Sequence, residues 1–127
     1  MKSTRLALPH ALSGSPWRAR RELRSLLLAA NWPGDVEAVV LAVHEAVMNA
    51  EQHAGGCTAA LAGLDDRDVV VEVWDRGPGF DPHRYASRPP GTLADRGRGI
   101  WLISQLAARY RVDRAAGSTC VRLAFQP

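Results

Sequence analysis

Three residues in HEAVMNAEQHA carry chemistry at one spacing: Glu45, Asn49 and His53 recur at every fourth position. On a helix this puts a carboxylate, a carboxamide and an imidazole near one line. That line lies roughly opposite a stripe of Val36, Val39, Val40, Val43 and Val47. A carboxylate beside a neutral oxygen donor suits a general base next to a hard cation such as Mg²⁺. A solvated polar face would show the same spacing. The neighbours Ala38, Leu41, Ala42 and Met48 are small or apolar, which favours a ligand cleft over such a face.

Three further clusters follow. Asp75-Arg76-Gly77-Pro78-Gly79-Phe80 ends the apolar run DVVVEVW. Strand alternation places Val69, Val71, Val73 and Asp75 on one face, so Asp75 points towards the core. An unpaired carboxylate there would be costly. It either accepts hydrogen bonds from the turn glycines or receives an exocyclic amine such as that of adenine. Gly97-Arg98-Gly99 stands where a helix begins, either as an entry turn or as backbone N–H groups open to a phosphate. Thr119 shares a strand face with Val121, Leu123 and Phe125, a hydroxyl among core residues.

The elements that must position these residues can be read from periodicity and breakers. Residues 4–8 make a short strand stopped by Pro9. Ser15 and Pro16 open a helix that runs to about Ala30, with Leu23, Leu26 and Leu27 inward. After NWPGD, Asp35 caps a second helix from Val36 to about His53, ended by Gly55 and Gly56. Strands follow near 57–63 and 68–75, joined by Asp65-Asp66-Arg67. Residues 76–98 form one long loop, a length usually tied to function. A helix from about Gly99 carries Ile100, Ile103 and Leu106 inward, and strands near 109–114 and 119–125 close the chain. Strands grouped in this way predict an α+β two-layer sandwich, with a mixed β-sheet and helices on one face.

The bulk properties narrow the classes. One domain of 127 residues, 46% hydrophobic and 23% charged, can bury a core without staples and is not disordered. Fifteen Arg and Lys2 against thirteen acids give +3, too little and too scattered to imply direct nucleic-acid binding. The helix at 36–53 carries Val and Ala where a recognition helix needs Arg, Asn or Gln. Cys57 and Cys120 show neither a disulfide framework nor a zinc spacing. Pro9 and His10 interrupt the only apolar run near the start, and no run is long enough to span a membrane. A cytoplasmic location without membrane contact is the expectation.

Taken together and in this order, ExxxNAxxHA, DRGPGF, GRGI and GSTxVxL resemble the Bergerat-type ATPase superfamily, which includes gyrase, histidine kinases and heat-shock chaperones. The short form, with a first strand ending in LP, an Arg-rich first helix and GRGIWLI, is similar to the anti-sigma factor serine/threonine kinases. The likeness runs from about Leu6 to Phe125, with Ile100 in place of a commoner Leu. It implies the Bergerat ATP-binding fold, ATP and Mg²⁺ as cofactors, and protein serine/threonine kinase activity. By position, Glu45 would activate the acceptor hydroxyl and Asn49 would hold Mg²⁺ against the phosphates. Asp75 would take the adenine amine, supported by Thr119, with Gly77 and Gly79 shaping the pocket wall. Gly97, Arg98 and Gly99 would meet the phosphates, and residues 81–98 would be the ATP lid. His53 would orient local structure rather than do chemistry. The implied partners are a sigma factor and an anti-sigma antagonist protein, with a homodimer as the implied assembly. The other reading is a non-catalytic protein that sequesters a partner with or without ATP.

Overall fold

The computed structural model describes residues 7–82 and 95–127. Their elements run β1 (Ala7–Leu12), α1 (Pro16–Ala29), α2 (Val36–His53), β2 (Cys57–Asp65), β3 (Asp68–Asp75), α3 (Asp95–Leu106), β4 (Arg109–Ala115) and β5 (Ser118–Phe125).

Pro16 opens α1, where its missing N–H costs nothing, and Ala19, Leu23 and Leu27 form the buried face. Ser15 has the extended backbone of a cap, but its side chain makes no capping bond. The entry is tied from upstream instead. The Ser15 N–H donates to Ser13 Oγ at 3.1 Å, and the Ser13 N–H donates to Glu22 Oε1 at 2.7 Å. Asn31 takes a left-handed turn at φ 52°, and Trp32 then folds inward. Its indole N–H donates to the Arg67 carbonyl at 2.9 Å, and its ring fills the space a side chain on Gly34 would need. Asp35 caps α2 as expected, accepting from the Ala38 N–H at 3.1 Å.

The sheet order is β1-β2-β3-β5-β4. The two-layer α+β architecture is as the sequence predicts, but the sheet is not mixed: all four pairings among the described residues are antiparallel. The reason lies in the order. After β3 the chain crosses through α3 to β4, which runs in the direction of β3, but β5 lies between the two strands. Pro9 does not stop the first strand, which continues to Leu12. β1 is an edge strand whose register shifts between Ala7 and His10, so the missing N–H of Pro9 breaks no regular ladder. Helix α3 begins at Asp95 rather than near Gly99. The remainder of the expected 76–98 loop, and most of the expected 81–98 lid, lies outside the described residues.

The helices cover one face of the sheet. Val39, Val43, Ala46 and Val47 of α2 share one buried cluster with Val69, Val71 and Val73 of β3 and Val121, Leu123 and Phe125 of β5. α2 is the middle helix, packed between α1 and α3. It is therefore buried on several sides, which offsets the low helix propensity of its many valines.

Candidate functional site

At one end of the sheet a transverse row crosses four strands. Cys57 of β2 faces Asp75 of β3, Asp75 faces Thr119 of β5, and Thr119 faces Arg114 of β4. Asp75 and Thr119 are buried on the helix side, as the alternation of their strands requires.

From this row the Gly77-Pro78-Gly79 loop is fastened at three points. The Gly77 N–H donates to Asp75 Oδ1 at 2.7 Å. Thr119 Oγ1 donates to the Gly77 carbonyl at 2.8 Å, and Arg114 Nη1 donates to the Pro78 carbonyl at 2.9 Å. Of the two roles open to Asp75, acceptance from a turn glycine is therefore present. It uses one of the two carboxylate oxygens. Asp75 and Thr119, already neighbours across β3 and β5, thus both hold Gly77, one by its N–H and the other by its carbonyl. Gly79 sits at φ 77°, a conformation that favours glycine, with the Arg114 stem against it. A Cβ on Gly77 would lie 2.6 Å from the Ala54 Cβ, so this glycine lets the loop reach the end of α2.

α2 supplies the second half. Asn49 is buried, Glu45 is half-buried, and His53 is exposed at the helix end, apart from the other two. Gly99 of α3 lies directly against Glu45. Gly97 falls in the first turn of α3, where backbone N–H groups lack intrahelical partners. Gly99 falls one turn later, so its expected phosphate role has a competing structural one: it makes room for Glu45. Arg98 between them is exposed. Glu45 and Ala54 are nine residues apart, roughly 13 Å along the helix. The two halves therefore line an elongated rather than a compact site. Arg76, Arg98 and Arg114 are all exposed around it, which suits an anionic ligand.

Two residues escaped the sequence reading. Arg114 has no motif around it, and only strand register brings it to Thr119. His44, adjacent to Glu45, is buried with its ring 4.6 Å from that of Trp17, and its Nδ1 has no hydrogen-bond partner among the described residues. Among the described residues no contact gives His44 a chemical role. Burial raises the Cys57 thiol above its ordinary range, and the nearby Asp75 and Glu51 carboxylates add to this, so Cys57 is a poor nucleophile.

Residues 15–125 match the histidine kinase-like ATPase domain family. Comparison with curated proteins gave no match. Among solved structures, the RsbU and RsbW domains of Rv1364c from Mycobacterium tuberculosis superpose with a TM-score of 0.62 at 23% identity, over 94% of this chain and 32% of that one. This chain thus spans about a third of the length of that solved chain. A chain of the SiaB-SiaC complex from Pseudomonas aeruginosa superposes with a TM-score of 0.63 at 14% identity, over 95% of this chain and 91% of that one. At these identities the likeness bears on the fold.

Proposed function

We propose, from the premise that this chain belongs to the histidine kinase-like ATPase domain family, that it is an ATP-dependent serine/threonine kinase acting on an anti-sigma antagonist protein. The observation that carries the reading is the Glu45 carboxylate, held half-buried against the second turn of α3 and one helical turn from Asn49. A module that only senses a nucleotide has no need of a base there.

The residues present fit the cofactor. Asp75 and the Gly77–Gly79 loop form a fastened polar end suited to adenine, and the first turn of α3 offers N–H groups to phosphate. Among the described residues no three His, Cys, Asp or Glu side chains gather to hold a metal unaided. Mg²⁺ commonly keeps several waters and takes one or two protein oxygens beside the phosphates, a demand that Asn49 can meet. When bound, Mg²⁺-ATP supplies the phosphoryl group. Glu45 then takes the proton from the acceptor hydroxyl, while Arg98 and the α3 terminus offset charge on the phosphates. The fold likeness to structures containing an RsbW domain and to the SiaB-SiaC complex supports a protein partner. A sigma factor is the other partner in this reading.

The test pairs two measurements on Glu45→Ala: ATP affinity and single-turnover phosphorylation of candidate antagonist proteins. Retained binding with transfer reduced ~10²–10⁴-fold supports the kinase. A wild type that binds ATP and a sigma factor but phosphorylates no antagonist moves the function to sequestration.

A further inference from the structure

The edge strand β4 does more than close the sheet. Its residues Tyr110, Val112 and Arg114 alternate onto one face, and the chain leaving the Asp75 row, residues 78–82, answers them at the same spacing. Arg114 donates to the Pro78 carbonyl at 2.9 Å, and the Tyr110 hydroxyl donates to the Pro82 carbonyl at 3.2 Å. Between these points Val112 and Phe80 both pack against the core cluster. Side-chain donors on β4 hold the segment by two of its carbonyl groups. Burial, reinforced by the Asp81 carboxylate, raises the Tyr110 phenol above its ordinary range and keeps it a proton donor.

We propose that Arg114 and Tyr110 are positioning residues, which strap residues 78–82 along β4 and so fix the loop that carries the Gly77 contact to Asp75. The consequence for nucleotide affinity rests on the ATP-binding reading above. The strap itself does not.

The test uses Arg114→Met, which keeps the aliphatic stem against Gly79 but removes the donor, Arg114→Lys, which restores one, and Tyr110→Phe. Amide exchange of Gly77, Gly79, Phe80 and Asp81 is followed without nucleotide, and ATP affinity by calorimetry. A single hydrogen bond lost predicts exchange about 2–12-fold faster at these amides in the Met and Phe variants, with ATP affinity weakened by a similar factor. The Lys variant should recover most of both, and KM for ATP should rise with kcat little changed. Unchanged exchange in Arg114→Met and Tyr110→Phe overturns the strap, whatever the melting temperature does. Weakened ATP binding without faster exchange also overturns it, and would make Arg114 a direct ligand of the phosphates. Faster exchange in a protein whose wild type binds no ATP upholds the strap and removes the nucleotide reading.

Discussion

The Glu45 carboxylate fills the space a side chain on Gly99 would need: a Cβ built there would lie 2.9 Å from Oε1. Only the flexible end of Glu45 is in the way, since its own Cβ would be 3.7 Å off. Gly99→Ala should therefore fold normally and turn the carboxylate aside. The expected result is near-native ATP affinity with phosphoryl transfer reduced towards the ~10²–10⁴-fold limit for loss of a general base. Single-turnover kinetics and calorimetry on the same preparation check it. Unaltered transfer would show that Glu45 tolerates displacement.

Asp75 and Thr119 both hold Gly77, by its N–H and its carbonyl respectively, but their loss should read differently. Asp75→Asn removes the acceptor proposed for the adenine amine and should weaken ATP binding by about 1–3 kcal/mol, roughly five- to 150-fold. Thr119→Val leaves the Gly77 carbonyl without its buried donor and should cost ~1–3 kcal/mol of stability, with the smaller effect on affinity. Calorimetry and urea denaturation separate the two. Equal ATP affinity in wild type and Asp75→Asn would take Asp75 out of the site.

The two helix entries make a matched pair. Asp35→Ala removes a real cap and should destabilise the protein by about 0.5–2 kcal/mol. Ser15→Ala removes a side chain that caps nothing and should cost less than about 0.5 kcal/mol. Denaturation midpoints of the two variants, compared at one pH, decide it.

Burial, helped by the Glu72 carboxylate, pushes the Cys120 thiol up to about 12. A thiol that ionises later in the folded chain than in the unfolded one stabilises the fold fully below the unfolded value. This contribution fades as pH rises from there towards the folded value. Between pH 8 and 10.5 the melting temperature of wild type should therefore fall more steeply than that of Cys120→Val. Parallel curves would contradict the burial of this thiol.

Ala116 turns the β4–β5 hairpin at φ 52°, followed by Gly117 at φ 79°. Two positive φ values suit a tight hairpin, but alanine at the first is strained. Ala116→Asn should raise stability by roughly 1 kcal/mol, since asparagine tolerates this region. ATP affinity should not change. Loss of stability in a melting experiment would mean that the turn is not strained at this residue.

What the sequence revealed and what it hid divide along a physical line. Helix α2 was readable because Asp35 and Gly55-Gly56 punctuate it locally, and the inward aim of Asp75 and Thr119 followed from alternation alone. Pro9 misled because its tolerance depends on β1 being an edge, a fact of tertiary arrangement. The mixed sheet failed for a similar reason, since no local pattern says that β5 inserts between β3 and β4. The start of α3 is hidden because glycines at 97 and 99 read as entry residues rather than as helix interior. Arg114 was invisible because its place depends on strand register and on where a loop crosses.

The row of Cys57, Asp75, Thr119 and Arg114 also says which changes of length this protein can survive. Arg114 owes its place beside Thr119 to the two-residue turn at 116–117, and Cys57 its place beside Asp75 to the turn at 66–67 together with the register shift between Cys57 and Ala59. One residue gained or lost in either turn, with the pairing shifted to match, would swing every side chain of a strand to the opposite face. Valines would exchange places with charged residues, and the paired acceptor and hydroxyl would separate in the same event. Both hairpins should therefore vary in composition but not in length, and a library of single-residue insertions should lose folding and ATP binding together at these two points.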